Sequence, residues 1–191
     1  MIVACLTSEH VGFLQNIVPP ASHFCRKNTA EIFMKESIET ALEANSIYRN
    51  YQGGYFKTLI SPEESSGEMA VIEMVLPEGA EPPLHLHENE DETFYVLEGE
   101  MAFNIDGEQR TAKPGDAVFA PRKVPHTFKI MSKQATFITV ITPGALWNYF
   151  IEFSTPATGE LQVFPPMGPP PLELVAQLTS RLSEAYGVTF L

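Results

Sequence analysis

The rhythm of apolar and polar positions changes three times along the chain. Residues 1–28 show no clear period and contain Pro19-Pro20, so they read as a poorly specified extension, with a true start near Met34 left open. Over 29–45, Met34, Ile38, Ala41 and Leu42 recur at helical spacing, and Asn28 with Glu31 forms a capping-box-like start. An amphipathic helix packed on the main body is expected there, within a lead-in covering 29–54. From Tyr55 to about Phe153, short alternating runs are separated by turn residues. In "EMAVIEMVL", Ala70, Ile72, Met74 and Leu76 share one face of a strand.

Three turn signals follow in quick succession. Glu98-Gly99 is one, and Asp106-Gly107 suits a tight hairpin turn because both residues tolerate positive φ. Pro114-Gly115 suits a type II turn, with φ preset at the proline. "HTFKI", "ATFITVIT" and "LWNYFIEF" read as further strands. Eight or more short strands with few helices predict an all-β antiparallel barrel or sandwich over 55–155. The remainder, 156–191, contains the proline-rich connector "FPPMGPPPLEL". A helix over Leu172 to Tyr186 is then expected, with Val175, Leu178, Leu182 and Ala185 at three- to four-residue steps and Gly187 as its C-cap.

Composition narrows the function classes. At 44% apolar and 19% charged residues, the chain is globular in character. A net charge of −12 with no basic cluster argues against nucleic acid and anionic membrane surfaces as partners. No apolar run reaches the roughly 20 residues that a membrane helix needs. The start, "MIVACLTSEH", lacks a positive n-region, so a cytoplasmic location is the expectation. Cys5 and Cys25 are the two cysteines. Two free thiols is the plainer reading, and a disulfide would tie down only that first segment.

Candidate chemistry concentrates in "PPLHLHENEDETFYVLEGE". His85 and His87 alternate with Leu86, so both imidazoles point to one face of a strand and can converge on one ion. Glu92 lies five positions past His87, so a turn must intervene, and the polar "ENED" can make it. The apolar run after Glu92 reads as the return strand. His126, behind the proline-ended turn of "GDAVFAPRKVP", opens another strand. If the sheet curls, three imidazoles and one carboxylate surround a cation and leave coordination positions open, as catalytic sites do. Taken singly, each feature also fits a surface pair, a core histidine or a solvated acidic loop. His10 and His23 receive no role.

The joint spacing resembles the cupins. Their first motif is matched by Gly79, His85, His87, Glu92 and Gly99; their second by Gly115, Pro121 and His126. Lys123 stands where glycine is usual and Ile130 where asparagine is usual, and neither position ligates. The resemblance covers about residues 55–153, with one copy of each motif, as in single-domain cupins of the quercetin-dioxygenase-like kind. It implies a double-stranded β-helix (jelly-roll) barrel, flanked here by the expected N-terminal and C-terminal helices. It also implies a divalent metal held by His85, His87, Glu92 and His126, with iron, nickel, manganese, zinc, cobalt and copper all open.

The function this implies is a dioxygenase-like enzyme acting on a small aromatic or enolic compound. Glu92, the candidate catalytic residue, either stays a ligand or leaves to act as a base. Phe94, Val96, Met101, Phe103, Phe119 and Phe128 are candidates for an apolar wall around a flat substrate, or ordinary barrel core. A small-molecule-binding cupin without turnover, and a decarboxylase, isomerase or lyase on the same barrel, remain as alternatives. Trp147 and Tyr149 are expected to pack the last strand or a dimer face, and a homodimer is expected.

Overall fold

Strand alternation sorts the barrel residues into inward and outward sets. The computed structural model describes residues 47–168 and 171–191. The extension 1–28, with its cysteines and histidines, and the helix expected over 29–45 lie outside the described residues. Strand structure starts at Tyr48, within the stretch expected to be a lead-in. Strand β1 (Tyr48–Tyr51) and β2 (Gly54–Ile60) form a hairpin. Its turn residues, Gln52 and Gly53, have φ of 50° and 79°. Two successive positive φ values suit the twist of paired strands.

The barrel proper comprises β3 (Ala70–Pro77), β4 (His85–His87), β5 (Asp91–Glu98), β6 (Met101–Ile105), β7 (Glu108–Ala112), β8 (Ala117–Ala120), β9 (His126–Ile130) and β10 (Gln134–Thr142). Ala70, Ile72, Met74 and Leu76 of β3 are all buried, as their spacing predicts. Ala135, Phe137, Thr139 and Ile141 of β10 meet them from the neighbouring strand. Asp106 and Gly107 take φ of 53° and 85° between β6 and β7, as the hairpin reading requires.

Two further strands are very short: β11 (Thr155–Pro156), which pairs with β1, and β12 (Val188–Phe190), which pairs with β4. The strands make two antiparallel sheets. One runs in the order β11-β1-β2-β3-β10-β5-β8, the other β12-β4-β9-β6-β7. Strands β3 to β10 divide between the sheets in jelly-roll fashion, four to each, and enclose one apolar core.

"LWNYFIEF" is not a strand. It forms a short helix, α1 (Trp147–Glu152), after a 3₁₀ turn over Gly144–Leu146. Leu146 and Phe150, one helical turn apart, are buried, while Trp147, Tyr149 and Ile151 are half-buried. Its apolar positions satisfy both a period of two and a period of 3.6, so periodicity alone does not separate the two states. Helix α2 (Leu172–Tyr186) has the predicted bounds, and Gly187 ends it in the left-handed conformation at φ 63°. Helix α2 is anchored to α1 through Glu152, whose carboxylate accepts from Arg181 at 2.8 and 3.1 Å and from the Tyr186 hydroxyl.

Candidate metal centre and its cavity

Strand register brings the histidines together. His85 on β4 lies directly opposite His126 on β9. His87, two residues on, shares the inward face, and both β4 histidines are buried. The chain then turns through Glu88–Glu90 and enters β5, where Glu92, Phe94 and Val96 point inward. Asp91 steadies this return. It accepts from the Arg122 backbone at 2.8 Å and from its guanidinium at 3.1 and 2.7 Å, tying β5 to the turn before His126.

The donor atoms of His85, His87, Glu92 and His126 all lie within 4.8 Å of one another. His85 Nε2 is 3.2 Å from His87 Nε2. Glu92 Oε2 is 3.3 Å from Nε2 of both His87 and His126. Donors at ~2.05 Å from one ion, ~90–109° apart, would be separated by ~2.9–3.4 Å. These three separations fall in that window.

The other ring nitrogens are also informative. His85 Nδ1 is 2.9 Å from the Pro83 carbonyl, and His126 Nδ1 is 2.9 Å from the Val124 carbonyl. A carbonyl only accepts, so each Nδ1 carries the proton and each Nε2 lone pair faces the cluster. His87 Nδ1 and the Glu90 Oε2 atom are buried without a hydrogen-bond partner among the described residues.

Electrostatics favour a charged Glu92 carboxylate beside a neutral His85 ring. Burial, with repulsion from His126 and His87, lowers the His85 pKa to about 4, so that ring is neutral at pH 7. Burial would also lower His87, but the Glu92 charge and hydrogen bond outweigh it and raise the value. Burial acts to raise Glu92, yet the two adjacent imidazoles hold its carboxyl well below the ordinary carboxylate range. The donor set therefore fits one divalent first-row ion.

The cluster opens into a cavity of about 400 Å³. His85, His87, Glu92, Phe94 and Phe128 line it, together with Met74, Leu76, Phe137 and Thr139 from β3 and β10. Of the remaining wall candidates, Val96, Met101 and Phe103 are buried in the core but do not line the cavity. Phe119 faces outward and is 55% exposed, because β8 alternation turns Val118 and Ala120 inward instead.

Several lining residues escaped the sequence reading. Val175, Leu178, Thr179 and Leu182 of α2 and Val188 and Phe190 of β12 supply wall from the C-terminal segment. Tyr51, Gln52 and Tyr149 also line the cavity, so Tyr149 faces inward rather than serving only as packing. The apolar face of α2 was a legible signal for some covered surface, but not for which one.

The motif departures have local explanations. Lys123 takes the left-handed conformation, φ 64°, that glycine adopts easily, and its N–H donates to the His87 carbonyl at 2.7 Å. The Ile130 side chain is fully buried, and its N–H donates to Glu81 Oε1 at 2.8 Å.

The cupin domain family matches residues 72–142. The quercetin 2,3-dioxygenase of Bacillus subtilis (strain 168) is 27% identical over 126 residues, 65% of this chain and 37% of that protein. An uncharacterized protein of Methanocaldococcus jannaschii is 30% identical over 90 residues, 47% of this chain and 72% of that protein. Among solved structures, KdgF from Halomonas sp. is 24% identical, covering 50% of this chain and 84% of that one, with a TM-score of 0.45. A predicted oxalate decarboxylase from Thermotoga maritima is 28% identical, covering 50% and 90%, with a TM-score of 0.44. The matched segment thus spans little more than a third of the Bacillus dioxygenase but most of the Methanocaldococcus protein. With the motif residues, their strand positions and this sequence likeness in agreement, the chain belongs to the cupin family.

Proposed function

We propose that this cupin is a metal-dependent enzyme, dioxygenase-like, acting on a small aromatic or enolic compound. One observation carries the reading: the buried three-histidine, one-glutamate cluster opens into a cavity walled by Phe94, Phe128 and Phe137. The 27% identity to a quercetin 2,3-dioxygenase supports the same direction. Held by His85, His87, Glu92 and His126, a divalent ion would supply Lewis-acid stabilisation of a substrate oxyanion.

The protein's own residues do the rest. The three phenylalanines offer flat apolar surface and exclude water, which strengthens the electrostatic interactions within the site. The Pro83 and Val124 carbonyls keep His85 and His126 in the ligating tautomer. Glu92 is ionised at neutral pH, so it serves first as an anionic ligand. The substrates that fit best are those whose hydroxyl is already acidic, such as enols and phenols, because they reach the oxyanion form without a strong base.

Oxygen uptake by the protein reconstituted in turn with iron, nickel, manganese, cobalt and copper, against a panel of flavonols, tests the proposal. Turnover with at least one metal, abolished in His85→Ala, is the expected result. Absence of turnover with every metal would overturn it. Saturable flavonol binding without oxygen consumption would instead indicate a ligand-binding barrel.

A further inference from the structure

The cavity has a second polar point besides the donor cluster. Tyr51, at the end of β1, and Tyr149, on α1, both line it, and their hydroxyls are 2.8 Å apart. The Gln52 amide lies alongside, with Nε2 3.4 Å from the Tyr51 hydroxyl. Tyr51 is only 9% exposed, held against Phe56 and Phe150 by ring contacts at 6.0 and 5.5 Å.

Hydrogen counting shows that the group is incomplete. Two phenols carry two O–H protons, and the bond between them uses one. Gln52 adds a donor, not an acceptor, at the Tyr51 oxygen. If Tyr51 donates to Tyr149, the Tyr149 proton is left over; if Tyr149 donates, the Tyr51 proton is. Either way, one O–H has no acceptor among the described residues. Both phenols line the cavity, so an oxygen acceptor arriving there can take that hydrogen bond and a purely apolar group cannot. Burial raises the pKa of both phenols, which keeps them protonated and able to donate.

We propose that the Tyr51–Tyr149 pair is a second recognition point, and that the ligand class is a flat apolar molecule with one metal-binding oxygen group and a second oxygen function remote from it. One oxygen goes to the metal centre, and the other accepts a hydrogen bond from the phenol pair. This inference rests on the reading of the cluster as a metal centre for aromatic or enolic oxygen compounds. It goes further in assigning specificity to residues outside the cupin motifs.

The test is binding to the full chain loaded with zinc under anaerobic conditions, so that no turnover intervenes. The probes are 3-hydroxyflavone and its derivatives carrying one further hydroxyl at the 7, 3′ or 4′ position, titrated by flavonol fluorescence. At least one derivative is expected to bind about 3- to 10-fold tighter than 3-hydroxyflavone, the factor for one neutral hydrogen bond. In the Tyr51→Phe/Tyr149→Phe double variant that advantage should vanish, while 3-hydroxyflavone itself binds as before. Thermal melting of the variant checks that its fold is kept. Two results would overturn the inference while leaving the metal-site reading intact: 3-hydroxyflavone binds but no derivative gains, or the gain survives in the double variant. Failure of every probe to bind the zinc-loaded wild-type chain would overturn both together.

Discussion

Lys123 is held in a conformation that its own side chain disfavours. Its φ of 64° is left-handed, and its N–H must point at the His87 carbonyl to close the turn before His126. A side chain with a Cβ costs roughly 1–2 kcal/mol there, and glycine avoids that cost while losing some unfolded-state entropy. Lys123→Gly is therefore expected to stabilise the protein by about 0.5–1 kcal/mol in urea unfolding, without disturbing metal retention. An unchanged or lower midpoint would show that the lysine is not strained. At this scale the candidate donors were legible in the chain, because His85, His87 and Glu92 announce themselves by residue type and spacing. Tyr51 and Tyr149 were not. They stand 98 positions apart in sequence, and nothing local to either indicates that they meet.

Among the elements, the long alternating strands and α2 were readable from periodicity, since burial of one face imposes it directly. Helix α1 was misread because its few apolar positions fit two periods at once. Strand β1 was overlooked because only four residues precede the turn and none follows a long alternation. Its hairpin is nevertheless seated tightly. A Cβ at Gly54 would lie 1.9 Å from the Val75 carbonyl oxygen, a backbone atom that cannot swing aside. Gly54→Ala should push the β1–β2 hairpin off β3 and cost about 2–4 kcal/mol, the range of severe packing faults. Urea unfolding measures the loss. A shift below about 0.5 kcal/mol would mean that the hairpin is free to move, which would also loosen Tyr51 from the cavity wall.

For the whole molecule, the donor cluster couples ligand binding to stability. Its four donors come from β4, β5 and β9, which belong to both sheets, so an ion bound there would tie the sheets together. Any ion that binds only the folded chain stabilises it by mass action. At a free concentration of ~100 times Kd this amounts to ~2.7 kcal/mol, or roughly 5–10 °C in Tm for a chain of this size. Chelator should lower the melting temperature of the loaded protein by that order. The His85→Ala protein should show neither the rise on loading nor the fall on chelation. Equal melting curves for loaded and chelated wild-type protein would count against a bound ion.

Residue order alone determined the period of the long barrel strands, the turn at Asp106-Gly107, the extent of α2 and the identity of four metal-ligand candidates. These follow from side-chain alternation, backbone φ preferences and donor chemistry, all of which act over a few residues. Only the tertiary structure decided that Phe119 faces outward while Phe137 lines the cavity, that α2 and β12 supply part of its wall, and that two distant phenols share a hydrogen bond on the cavity that the donor cluster lines. The reason is the range of the forces involved. Local patterns say which face of an element must be covered, and long-range packing settles what covers it.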